Sequence, residues 1–92
     1  MSDQMEIFLE AVKSIQNEVI NIALIKKDKY DGVEEIITDV TYEMAYRIFE
    51  LIDGYHNRKL KYKLTEIKSN KVVNADRDFH DLCEDYLKFT EK

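Results

Sequence analysis

Proline is absent from this chain of 92 residues, and glycine occurs only as Gly32 and Gly54. Both residue types interrupt helices and strands, so their scarcity predicts long regular elements joined by short connections. Cys83 is the single cysteine, which excludes an intrachain disulfide and favours a reducing compartment. The sequence has neither the roughly 20 consecutive apolar residues that span a bilayer nor the basic start of a signal peptide. We therefore expect a cytoplasmic protein that does not contact membranes.

The length and composition predict one globular domain over residues 1–92. Hydrophobic residues make up 45% of the chain and charged residues 36%, which is enough apolar surface for a core. A chain of this size buries one modest core, and a deep catalytic cleft is disfavoured. The two glycines are isolated, so no glycine-rich phosphate-binding loop is present. We interpret the protein as non-enzymatic and without a cofactor.

The net charge of −5 is unevenly distributed. Residues 57–71 hold six basic side chains against Glu66 alone, a local charge of +5, which leaves −10 on the rest of the chain. An acidic body disfavours general nucleic-acid binding and suits a protein partner with a basic face.

Helical periodicity dominates the first half of the sequence. Apolar residues recur at spacings of three and four from about Ser2 to Lys27, and again from about Val33 to Asp53. We predict two long antiparallel helices, with Gly54 as a left-handed cap after the second. The branched side chains around Thr38–Thr41 suggest a break or kink there. The wide apolar stripe of the first helix also predicts a homodimer face.

The period changes to two from Leu60 to Ile67, which predicts a half-buried strand. A turn at Ser69-Asn70 and a return strand at Val72-Val73 complete a β-hairpin. A last helix then runs from about Asn74 to Thr90. The predicted fold is α+β, in the order α-α-β-β-α.

The stretch FHDLCEDYLKF, residues 79–89, has the densest chemistry of the chain. His80 and Cys83 are helical neighbours, and His56 is the only other histidine. A zinc site would need carboxylates to complete its ligand set, and Cys83 falls on the apolar stripe, where a free cysteine acts as a small hydrophobe. We interpret these residues as structural, with no catalytic or metal role. Asp53 is expected to bond its own turn.

Two surfaces are candidates for binding. Tyrosine is enriched at interfaces, and the acidic carboxyl end is a candidate for a basic partner. This first set consists of Asp76, Asp78, Asp81, Glu84, Asp85, Tyr42 and Tyr46. Exposed lysines on the hairpin protect an edge strand, contact a protein partner or track a phosphate backbone. This alternative basic patch consists of Lys59, Lys61, Lys63, Lys68 and Lys71.

The runs YRIFELIDGY, KYKLTEIKSNKVVN and FHDLCEDYL resemble a pattern found in small uncharacterised bacterial proteins, some of them polymorphic-toxin immunity proteins. The resemblance covers about residues 42 to 89 and defines no site residues. It implies an inhibitory protein–protein interaction. We therefore expect an interaction module, an immunity or inhibitor protein that masks a basic site on its partner. The alternative is a small nucleic-acid-associated regulator that uses the basic segment 57–71.

Overall fold

The computed structural model describes residues 2–90. It confirms the α+β class and the order α-α-β-β-α. Single 3-10 turns follow the first helix and precede the last one. The elements are α1 (Asp3–Lys26), α2 (Val33–Asp53), β1 (Thr65–Glu66), β2 (Lys71–Val72) and α3 (Cys83–Tyr86).

Helix α1 begins and ends close to the predicted positions. The Ser2 hydroxyl accepts a hydrogen bond from the Met5 amide at 3.1 Å, which satisfies one of the free N–H groups of the first turn. Asp3 and Glu6 lie in that turn, where carboxylates interact favourably with the helix dipole. Helix α2 has the predicted bounds.

The break expected at Thr38–Thr41 is wrong, because α2 continues through it. Each threonine hydroxyl donates to the backbone carbonyl four residues earlier: Thr38 to Glu34 at 2.8 Å, and Thr41 to Ile37 at 2.7 Å. These bonds satisfy the hydroxyls within the helix, so the branched side chains do not force a new cap.

Gly54 ends α2 in the left-handed conformation, with a φ of 93°. The amide of Gly54 donates to Leu51 O at 3.2 Å, and the amide of Tyr55 donates to Glu50 O at 2.8 Å. This pair of bonds is the Schellman motif, and it satisfies two carbonyls of the last turn. It also turns the chain sharply after Asp53.

The hairpin is shorter than predicted. Only β1 and β2 pair, in the register Thr65 with Val72 and Glu66 with Lys71. Before β1, the Asn74 carboxamide takes the place of a partner strand: it accepts from the Leu64 amide at 2.9 Å and donates to Tyr62 O at 3.1 Å. Two backbone bonds also hold this segment, from Tyr62 N to Ile52 O at 2.9 Å and from Val73 N to Leu64 O at 2.7 Å. The alternating segment is thus bonded to a side chain and to separate backbone groups, and a strand over Leu60–Ile67 does not form.

The last helix is also much shorter than predicted. A 3-10 turn at His80–Leu82 leads into the four residues of α3, whereas residues 75–79 are not helical. The side chain of Asn74 is engaged in the hairpin and does not start a helix. Leu87, with a φ of −106° and a ψ of 147°, returns the chain to an extended conformation after α3.

The chain forms two compact units, Met1–Ala45 with Lys88–Lys92, and Tyr46–Leu87. In the first, the buried Asp39 accepts from the Tyr30 hydroxyl, and from the Thr90 hydroxyl at 3.4 Å. Burial and the adjacent Asp39 carboxylate raise the pKa of Tyr30 to about 12.

None of the helices within residues 2–90 has the length and apolar character required to cross a membrane. The existence of one domain over residues 1–92 stays a prediction.

Replacement of Gly54 by alanine should destabilise the fold. A Cβ there would lie 3.2 Å from the Cβ of Lys61, and the left-handed backbone disfavours any side chain. We expect a loss of about 1–2 kcal/mol in the free energy of unfolding, measured by urea denaturation. Gly32→Ala is the matched control, because a Cβ at Gly32 meets nothing within 4 Å. Equal losses in the two variants would contradict this account of the α2 cap.

Candidate functional site

The carboxylate of Asp53 organises the second unit. Asp53 is the last residue of α2, and only 2% of its surface is exposed. Its Oδ1 accepts from the Phe79 amide at 3.1 Å, and its Oδ2 accepts from the His80 amide at 2.9 Å. The carboxylate thus satisfies the N–H groups that start the 3-10 turn, from 26 and 27 residues away. The expected role of Asp53 in its own turn is replaced by this long-range one.

His80 is held between two carboxylates. Its Nδ1 lies 2.6 Å from Asp53 Oδ2, and its Nε2 lies 3.3 Å from Asp81 Oδ1. Tyr55 and Tyr46 contact the imidazole with tilted or edge-on rings, at centroid distances of 4.7 and 5.8 Å. The ring is therefore fixed in position by both of its nitrogens and by aromatic packing.

The surroundings of His80 favour its charged form. Burial acts to lower the pKa of the imidazole, but the hydrogen bond to Asp53 and the negative charges of Asp81, Asp53 and Glu50 outweigh it and raise the pKa. A protonated His80 donates from both nitrogens, one to each carboxylate, which makes these bonds charge-assisted.

An aspartate–histidine pair of this kind orients the general base in many hydrolases, where the second nitrogen faces a nucleophile. Here the second nitrogen faces the carboxylate of Asp81, so among the described residues no nucleophile occupies that position.

The thiol of Cys83 is buried. The residue is 3% exposed, and the thiol donates to Phe79 O at 3.7 Å. Burial, followed by the charges of Asp53 and Glu50, raises the pKa of this thiol.

Ligand atoms of Asp53, Asp78 and His80 lie within 4.8 Å of one another. Carboxylate and imidazole groups are ligands that several divalent cations accept. The donors already bound to Asp53 compete with such an ion, because Oδ2 accepts from both the backbone and the ring of His80. Within residues 2–90, this grouping includes neither His56 nor Cys83, the residues that the sequence offered.

Tyr55 extends the cluster to the surface. Its side chain hydrogen-bonds to Asp78, and the charge of Asp78, this bond, partial burial and two further aspartates raise the pKa of its hydroxyl. Tyr55 as a whole remains 63% exposed. This position follows from the turn at Gly54, which directs the chain away from the face of α2 that a continued helix would give Tyr55.

The acidic residues predicted from the sequence lie mostly on the surface of the second unit. Asp76, Asp81, Glu84 and Asp85 are exposed, whereas Asp78 is half-buried beside Tyr55. An apolar hollow of about 210 Å³ opens to solvent in the same unit, and Asp81, Glu84 and Asp85 directly adjoin its lining residues in the sequence. It is lined by Phe49, Phe79, Leu82, Cys83, Tyr86 and Leu87.

Tyr86 is the aromatic residue that sequence reasoning omitted from this surface. It lines the hollow, is 82% exposed, and directly follows Glu84 and Asp85 in α3. Tyr42 and Tyr46, chosen from the sequence, are half-buried. Tyr42 packs on Phe89 at a centroid distance of 5.3 Å. Helical periodicity in the sequence would have placed the Tyr86 ring in the core, because periodicity alone does not show that α3 ends at Tyr86.

The five lysines of the alternative basic patch are all exposed. Lys61 and Lys63 flank a shallow depression of about 270 Å³ beside Val72 and Asn74. Lys71 lies in β2, and Lys68 in the turn before it. The patch is therefore accessible to a partner and equally suited to protecting the hairpin edge.

Comparison of the chain with protein-family models, curated proteins and solved structures gives no match.

Replacement of Asp53 by asparagine should destabilise the second unit. The change keeps the shape but places an NH₂ group among N–H donors that require an acceptor. We expect a loss of about 2–4 kcal/mol in the free energy of unfolding. Asp76→Asn removes the same charge from an exposed position and should stay near wild type. A small, equal change in both variants would contradict the organising role of Asp53.

The contribution of His80 to stability should depend on pH. Because folding raises its pKa, the contribution is complete below the unfolded pKa of about 6.5 and is lost as the pH rises through the folded value. The difference in stability between His80→Asn and wild type should therefore shrink progressively as the pH increases above that range, to the part that the packing of the ring against Tyr46 and Tyr55 supplies. Urea denaturation across a pH series measures this difference. His56→Asn, at an exposed position, serves as the control, and a His80→Asn difference that stays constant with pH would refute the assignment.

Proposed function

We propose that this chain is a non-enzymatic protein-interaction module, an immunity or inhibitor protein that acts in the cytoplasm by masking a basic site on its partner. The observation that carries the proposal is the apolar hollow beside the exposed carboxylates of Asp81, Glu84 and Asp85. An apolar centre with a charged rim is the usual anatomy of a specific protein interface.

Tyr86 is the proposed anchor of this interface. Its ring is 82% exposed at the edge of the hollow, and an exposed tyrosine costs little conformational entropy when it becomes buried in a complex. An apolar side chain of the partner would enter the hollow against Tyr86 and Leu82. The hollow is too small for more than one or two side chains, so the carboxylates would supply most of the specificity.

The carboxylates would act mainly on the rate of association. Exposed charges of one sign attract a basic partner from a distance and exclude acidic competitors. The hydrogen bonds that the Phe79 and His80 amides donate to Asp53 would hold the start of this acidic segment in place. Masking then requires no chemistry, because a bound module blocks the basic site of the partner sterically.

The alternative, a nucleic-acid-associated regulator, is supported by the exposure of Lys59, Lys61, Lys63, Lys68 and Lys71. Such a regulator would bind phosphate groups with a strong dependence on salt. The acidic body of the chain opposes this function, and the two candidates use different residues.

Affinity capture from a lysate of the source cell, treated with nuclease, should recover a basic protein. Glu84→Lys should lower its association rate about tenfold at low salt, and Tyr86→Ala should raise its dissociation rate about five- to tenfold. Stopped-flow or surface-plasmon measurements with the purified partner separate the two rates.

Asp28→Lys is the matched control for charge, because it makes the same change at an exposed position in the other unit. It should leave both rates near wild type. Wild-type binding by Glu84→Lys and Tyr86→Ala would refute this interface. If Lys61→Gln with Lys63→Gln instead abolishes binding to an oligonucleotide, the regulator function replaces the proposed one.

A further inference from the structure

Helix α1 exposes a second apolar stripe, away from its buried residues Ile15 and Val19. Met5, Leu9, Ile20 and Leu24 are each between 47% and 59% exposed. At 100° per residue they fall on one face of the helix, together with the polar Lys13 and Gln16 at its middle. The stripe occupies positions 5, 9, 13, 16, 20 and 24. The intervals between these positions are the same in both directions along the helix, so two antiparallel copies of the stripe match each other position by position.

The carboxyl-terminal half of this stripe forms one wall of a groove in the first unit. The groove has a volume of about 300 Å³, and α2 supplies the opposite wall through Ile36 and Val40. Leu24 and Ile20 line it from α1, with Lys27 and Tyr30 at its end. Its size and apolar lining suit side chains from one face of a helix.

Charge is unevenly distributed between the two ends of α1, although Lys13 and Glu18 lie between them. The acidic residues Asp3, Glu6 and Glu10 lie in the amino-terminal part. Just after the other end, Lys27 and Lys29 are exposed and flank Asp28, while Lys26 pairs with Asp39 at 3.9 Å within its own unit. A second copy that runs antiparallel to the first brings each acidic end against a basic end. The opposed helix dipoles also favour the antiparallel arrangement. A parallel pair would place like charges together at both ends.

We propose that the groove is occupied by α1 of a second copy of this chain, in a two-fold symmetric antiparallel dimer. Met5 of each copy lies against Leu24 of the other, and Leu9 lies against Ile20. The axis passes between Lys13 and Gln16, where the lysine donates to the amide oxygen of the glutamine. Each apolar pair is formed twice, as an isologous interface requires.

The small size of the proposed α1–α1 contact indicates a modest affinity for the dimer. From Met5 to Leu24 the paired helices run for about 28 Å at 1.5 Å per residue, and the contact is one helix wide. Such an interface is at the small end of specific ones, so we expect dimerisation in the micromolar range.

Sedimentation equilibrium of the full chain should show a species of twice 11.0 kDa at micromolar concentrations. Leu24→Glu should weaken the dimer about tenfold or more, because it places a carboxylate among apolar side chains and near the acidic end of the second copy. Ile25→Glu is the matched control: Ile25 is 82% exposed and about 100° further round the helix, so the dimer should persist.

Disulfide cross-linking tests the orientation. A mixture of Met5→Cys and Leu24→Cys chains should form mixed dimers on oxidation, while Met5→Cys alone should not cross-link, because its two thiols lie about 28 Å apart. The native Cys83 is buried and should not interfere. A chain that is monomeric at all concentrations, or that cross-links through Met5→Cys alone, overturns the proposal. Neither outcome bears on the acidic interface of the second unit, which the Glu84→Lys and Tyr86→Ala variants test separately.

Discussion

The second unit depends on the hydrogen bonds that the buried carboxylate of Asp53 accepts. Its two oxygens take hydrogen bonds from Phe79, from the backbone of His80 and from the His80 ring. A buried carboxylate is costly unless it is fully bonded, so the segment that supplies these donors cannot move away without leaving it unpaired. The start of the last helical turn, the orientation of the imidazole and the position of the acidic residues beyond it all follow from this one group.

Helix α2 repeats the same device in the other unit. Asp39 and Asp53 are the two buried charged residues within residues 2–90, and both belong to α2. Asp39 binds the hydroxyls of Tyr30 and Thr90, which lie on either side of it in the sequence. Each carboxylate thus ties distant parts of the chain to one helix. Polar bonds of this kind have strict geometry, and they fix positions that a small apolar core fixes poorly.

The core itself is small. Ile15, Val19, Leu51 and Cys83 are the buried hydrophobic residues of the described chain, while many large apolar side chains remain exposed. Contiguous exposed apolar surface usually marks binding. The hollow beside Tyr86 and the groove between α1 and α2 are two such places, with different charges around them. We therefore regard association with other chains as the feature that the proposed function and the proposed dimer have in common.

The local sequence determined both long helices, the cap at Gly54, the turn of the hairpin and the burial of Cys83, because each depends on the types and spacing of neighbouring residues. Periodicity overestimated the strand at Leu60–Ile67 and the last helix, where the side chains of Asn74 and Asp53 bind backbone groups that local structure would otherwise use. The pairing of His80 with Asp53, the exposure of Tyr86 and the groove on α1 were decided only by the tertiary structure. These features join residues far apart in the chain, and no local pattern records which distant donor will meet a buried acceptor.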